Sequence, residues 1–91
     1  MNKTKIISSV AKECGISRLQ AEKIIEATLR HIVTALRNDE NVLIAGFGSF
    51  RVSQRAARTG VNPRTLKTVQ ISAAKVPKFS AGSALKKAVN A

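Results

Sequence analysis

The sequence predicts an α+β fold: two helices, two short strands, a basic β-hairpin, a third strand and a closing helix. Three observations predict it. Apolar residues recur at helical spacing as far as residue 36. From Val42 onward, short apolar or alternating runs are bounded by glycine and proline, as strands are. Inside that second half lies Arg55-Ala56-Ala57-Arg58-Thr59-Gly60-Val61-Asn62-Pro63-Arg64-Thr65, which is rich in cations, holds no acid and can bury little.

Ile6, Ile7, Val10, Ala11 and Cys14 fall on one helical face, so the first helix is expected from about Lys3 to Cys14. Asn2 or Thr4 suits its start, and Gly15 suits the left-handed residue that ends it. Cys14 then reads as a small core residue. Ser17-Arg18-Leu19-Gln20 is a capping box for a second helix. Ala21, Ile24, Ile25, Thr28, Leu29, Ile32, Val33 and Leu36 give that helix a broad apolar face, with Glu26 and Arg30 an i,i+4 pair outside it. Asn38-Asp39-Glu40-Asn41 stops it. So wide a face exceeds what the first helix can cover, and calls for a sheet and a second subunit.

Val42-Leu43-Ile44-Ala45 and Ser49-Phe50-Arg51-Val52 read as strands joined tightly through Gly46-Phe47-Gly48. Phe47, Phe50 and Phe79 are the only aromatics; core packing is preferred to base stacking, because Phe50 alternates with polar neighbours. Asn62-Pro63 marks a turn between two extended arms, the return arm running Leu66 to Ile71. Ser72-Ala73-Ala74 is expected to bend. Lys75-Val76-Pro77-Lys78-Phe79 reads as an edge strand, since proline cannot donate to a ladder. Ser80 or Ser83 opens a last helix with Leu85, Ala88 and Val89 inward and Lys86 and Lys87 outward.

Ninety-one residues make one domain, divided as a helical hairpin (1–40), a sheet (41–54 and 72–79), an arm (55–71) and a C-terminal helix (80–91). If roughly 20–25 residues form a projecting ribbon, about 65–70 remain for a core, a marginal size for a lone domain. Net charge is +11, from 16 Lys and Arg against 5 acids. All five acids precede residue 41, so the second half carries an unopposed positive field. The expected partner is a polyanion.

Other classes are disfavoured. Cys14 is alone, so no internal disulfide or cysteine metal cluster is possible, which fits a reducing compartment. His31 has no second histidine at ligand spacing and reads as structural. The basic half lacks His, Cys, Asp and Glu, so no catalytic residue, metal or cofactor is expected. No apolar leader follows Met1, and no apolar run spans a membrane, so a soluble intracellular protein is expected.

The residues Gly46-Phe47-Gly48-Ser49-Phe50, Arg55-Ala56-Ala57-Arg58-Thr59-Gly60, Asn62-Pro63 and Val76-Pro77-x-Phe79 stand at spacings that resemble the bacterial HU family of histone-like DNA-binding proteins, with integration host factor as a close relative. The resemblance covers essentially the whole chain. It implies an intertwined homodimer with a helical base, a short antiparallel β-sheet saddle and a long protruding β-arm per subunit. The arms would wrap the minor groove of double-stranded DNA, with Pro63 wedged between base pairs; HU and integration host factor are themselves the standing examples of such architectural binding. Function would then be largely sequence-independent binding and bending, best on distorted DNA, by a cytoplasmic, nucleoid-associated protein.

That resemblance makes Arg55, Arg58, Asn62, Pro63, Arg64 and Lys67 candidate DNA contacts on the arm. Lys3, Arg51, Lys75, Lys78 and Lys86 are candidate phosphate contacts on the saddle and flanks. The Gly46 and Gly48 amides could also face a phosphate. An arm of about nine residues reaches about 30 Å, several times the roughly 6 Å width of the minor groove. Arg55 and Arg58, three apart, would leave opposite faces of a regular strand. Two positions depart from the family pattern: Val61 replaces a usual arginine, and Leu66 replaces a usual glycine, with Arg64 placed to compensate in part for Val61.

Two other readings compete. Ala11, Gly15 and Ser17, with Arg18, Gln20 and Lys23 opening the second helix, mimic a sequence-specific helix-turn-helix regulator, but that helix is long and apolar. An integration-host-factor-like subunit and a basic RNA-binding protein are the remaining alternatives.

Overall fold

The computed structural model describes the backbone of all 91 residues and the side chains of all but Arg58, Gln70 and Ile71. Its elements run α1 (Lys3–Cys14), α2 (Arg18–Arg37), β1 (Val42–Ile44), β2 (Gly48–Arg55), β3 (Arg58–Val61), β4 (Thr68–Ile71), β5 (Ala74–Ala81) and α3 (Ser83–Val89). The chain divides into two compact units, residues 1–34 and 35–91.

In the first unit, Asn2 is the N-cap of α1, its Oδ1 accepting the Lys5 N–H at 2.9 Å. Gly15 ends α1 at φ 65°, where its N–H donates to the Ala11 carbonyl. The capping box of α2 is reciprocal: Gln20 N–H donates to Ser17 Oγ and Ser17 N–H to Gln20 Oε1, both at 3.1 Å. Ser17→Ala is expected to lower stability by about 1 kcal/mol, read as an earlier denaturant midpoint with unchanged m.

The core of this unit is Ile7, Ala11 and Ala21, flanked by half-buried Val10, Ile16 and Ile25. Two expectations are corrected here. Cys14 is exposed rather than in the core. Burial ends at Ala11, and Ile16, beyond the Gly15 turn, packs in its stead. Glu26 pairs not with Arg30 but with Lys3 of α1, at 3.4 Å across the helix hairpin. Ile24, Leu29 and Val33, on the wide face of α2, remain 48–55% exposed in the single chain.

The second unit begins with the last turn of α2. Glu40 N–H donates to the Ala35 carbonyl and Asp39 N–H to the Leu36 carbonyl, with Asp39 at φ 61°. This is a Schellman stop with Asp in the left-handed position where glycine is usual. Lys75 Nζ closes it, lying 3.0 Å from the Arg37 carbonyl and 3.0 Å from Asp39 Oδ1.

The sheet is antiparallel in the order β1-β2-β5, so β5 is an edge strand and Pro77 is tolerated there. Phe50 lies opposite both Val42 and Phe79, and Val52 opposite Pro77. The Phe79 ring is 4.9 Å from that of Phe50 and 5.5 Å from that of Phe47, both tilted. Phe50, Val52, Pro77 and Phe79 thus share one face of the sheet, and the three rings pack on one another rather than in a closed core, since Phe47 and Phe79 are each 44% exposed in the single chain.

Strands β3 and β4 form a separate ladder. Arg55 pairs with Ala74 and Arg58 with Ile71, so each strand skips two residues, 56–57 and 72–73. Register is kept across the gap, and the four strands are one hairpin with an interrupted ladder. Of the residues expected to bend, Ser72 and Ala73 lie between the strands without a bend, and Ala74 already belongs to β5. Helix α3 starts from Gly82 as N-cap, without a side-chain cap, rather than from Ser80 or Ser83. Only Leu85 of its apolar residues is half-buried; Ala88 and Val89, expected to face inward, are exposed in the single chain.

Candidate nucleic-acid interface

Strand pleating sorts the sheet into two chemistries. Opposite the aromatic face, Ser49, Arg51, Ser53 and Arg55 alternate along β2, with Ser80, Lys78, Val76 and Ala74 across from them on β5. Arg51 stands directly opposite Lys78, and both are exposed. Opposed like charges destabilise a sheet unless an anion lies over them. Sequence reasoning singled out the cations of this face and missed its serines, whose hydroxyls are phosphate donors; the period of two around Arg51 was the available signal.

At the root of the arm, Arg55 Nη2 donates to the Ser72 carbonyl at 3.1 Å. Its guanidinium thus spans the interruption in the ladder. The premise that Arg55 and Arg58 share one regular strand fails, because residues 56–57 separate β2 from β3. The Arg58 side chain lies outside the described residues.

The arm ends in a four-residue loop, Pro63 to Leu66, closed by Asn62 N–H to the Lys67 carbonyl at 2.9 Å and by Leu66 N–H to the Asn62 carbonyl at 2.7 Å. Asn62 Oδ1 accepts the Arg64 N–H at 2.9 Å, bridging over Pro63. Asn62 therefore builds the turn that presents the proline. Leu66 holds φ 57°. Pro63, Arg64, Leu66 and Lys67 are exposed.

The other candidates divide. Lys3 and Lys75 carry the ion pairs seen among the described residues, with Glu26 and Asp39. Lys86 is exposed on α3. Gly46 is exposed at φ 79°, a turn position that favours glycine. Gly48 is buried on the central strand, and an added Cβ would sit 2.5 Å from the Ser80 carbonyl oxygen. Close packing against β5 accounts for a glycine at this position. Among the described residues no group of three or more His, Cys, Asp or Glu could hold a metal, and no helix is long and apolar enough to cross a membrane.

A family model described as "Bacterial DNA-binding protein" matches residues 1–90. The chain belongs to this family. Its relatives include DNA-binding protein HU of Buchnera aphidicola, 46% identical over 89 residues, covering 98% of this chain and 97% of that one. DNA-binding protein HU-alpha of Vibrio proteolyticus is 49% identical over 89 residues, covering 98% and 99%. Among solved structures, an Anabaena HU–DNA cocrystal aligns with TM-score 0.88 and 37% identity over 98% of this chain and 97% of that one. HU from Thermotoga maritima aligns with TM-score 0.71 and 35% identity over 98% of each. The α+β order of an HU chain, with its arm hairpin, is the order found here.

Proposed function

We propose that two copies of this chain form an architectural unit that binds double-stranded DNA with little sequence preference and bends it. The observation that carries this reading is the acid-free basic face. Arg51 and Lys78 oppose each other on it, and it runs in one register into the arm. A duplex supplies the anionic surface that such a face lacks. The arm's target is the minor groove, where base readout is degenerate, so deformability decides the preferred sites. One relative, the Anabaena HU, was crystallised with DNA.

Dimerisation has its own support. Only Ile7, Ala11 and Ala21 are buried among the apolar residues described, while Ile24, Leu29, Val33, Leu43, Phe47 and Phe79 are at least 44% exposed. A second copy would cover such surface. The whole chain then acts as one DNA-binding domain. The basic half holds no His, Cys, Asp or Glu, in keeping with a protein that acts by binding, and its place is with the chromosome in the bacterial cytoplasm.

The arm would contribute Arg58, Arg64 and Lys67 to phosphates and Pro63 as a wedge, with Arg51, Lys78 and Lys86 on the saddle and flanks. Lys3, Lys75 and Arg55 would have to exchange internal partners for phosphate. The test is bending measured by end-to-end energy transfer on linear, nicked and four-way DNA, with structured RNA as competitor. Wild type should bend the duplex and resist RNA; Pro63→Ala should bind with similar affinity and bend less. Equal bending by Pro63→Ala would remove the wedge, and preferential capture by RNA would favour the RNA-binding reading.

A further inference from the structure

The arm tip holds an unusual residue in an unusual conformation. Leu66 sits at φ 57°, a region that bulky L residues rarely enter, and the residue is 80% exposed. Turn chemistry alone would be better served by glycine. The polar groups around it are satisfied locally: Asn62 Oδ1 by the Arg64 N–H, and the Leu66 N–H by the Asn62 carbonyl. The loop therefore offers two apolar side chains outward alongside its polar ones. Pro63 and Leu66 are exposed within the same four residues, and Val61, at the end of β3, is 65% exposed. Arg64 and Lys67, also exposed, supply charge for the flanking phosphates.

We propose that Leu66 is a second wedge residue beside Pro63, and that the enlarged apolar tip selects easily unstacked pyrimidine–purine steps in duplex DNA. The inference rests on the DNA-bending reading above. Its physical basis is that apolar side chains entering from the minor groove unstack base steps, and TA and CA/TG steps yield most readily. A leucine buried against bases or sugars gains transfer free energy that glycine or alanine at the same position cannot. The backbone strain at Leu66 is then offset only in the complex.

Full-length Leu66→Ala and Leu66→Gly separate side chain from backbone, since alanine keeps the strained φ and glycine relieves it. Each is titrated against one duplex with a central TA step and one with a stiff A-tract, with bending read by energy transfer. Both variants should lose about 10-fold in affinity for the TA duplex and bend it less. Affinity for the A-tract and melting temperature should not fall. Wild-type behaviour of Leu66→Ala on the TA duplex would overturn the proposal. So would equal losses on both duplexes, or a loss confined to Leu66→Gly, which would assign the effect to the turn. Failure of the parent reading looks different: wild type would then bend neither duplex.

Discussion

Raising salt from 50 to 200 mM should weaken duplex binding by about 10³–10⁵-fold, if the assembled unit meets about 6–10 phosphates. The expectation follows from charge placement. Nine of the 16 cations lie beyond residue 40, where no acid occurs. Each phosphate they neutralise releases condensed counterions, so log affinity falls linearly with log salt. Lys3 and Lys75 should contribute less than their charge suggests, because Glu26 and Asp39 already occupy them. Arg58→Ala should weaken binding to all sequences alike and reduce the salt slope by about 1 per arm. Titration by fluorescence anisotropy at four salt concentrations measures both slopes. A flat response in wild type would remove phosphate contact as the source of affinity.

Much of this molecule was legible in the sequence because its punctuation is local. Asn2, Gly15 and the Ser17–Gln20 pair each act within four residues, and each does in the structure what its chemistry suggests. The edge placement of β5 followed from one fact about Pro77, its missing N–H. The errors share a different cause. Cys14 has helical phase with Ile7 but sits past the end of the packed region, and phase carries no information on where packing stops. Glu26 has a sequence neighbour in Arg30 and a spatial one in Lys3, and only the hairpin decides between them. The interruption at residues 56–57 was likewise hidden, since two alanines are compatible with strand, although Ser72 and Ala73 across from it were expected to leave the strand. At the candidate site, the residue types were readable but their commitments were not. Asn62 is spent on the turn and Arg55 on the Ser72 carbonyl, both through bonds that need the folded hairpin.

Gly48→Ala should be the most damaging alanine substitution among the described glycines, and Gly46→Ala a less damaging one. The two glycines flank Phe47 and look equivalent in the sequence, yet they answer different constraints. At Gly46 the backbone lies at φ 79° with nothing within 4 Å of an added Cβ, so alanine meets only the left-handed penalty, about 1–2 kcal/mol. At Gly48 the added carbon would fall 2.5 Å from the Ser80 carbonyl oxygen and 2.7 Å from the Phe79 ring. The first obstacle is backbone and the second is the tip of an aromatic ring. Ser80 is paired with Ser49 in the ladder, and Phe79 is held between Phe47 and Phe50. Relief requires β2 and β5 to part where the aromatic face is built. Overpacking of this kind costs about 1–3 kcal/mol and occasionally more, and each kcal/mol lowers the melting temperature of a domain this size by about 4–8 °C. Thermal unfolding followed by circular dichroism should therefore rank Gly48→Ala below Gly46→Ala. Duplex affinity of Gly46→Ala, measured well below its midpoint, should stay near wild type. The reverse order of stability would mean that β2 and β5 are not in close contact at Gly48, and the basic face built on their register would lose its foundation.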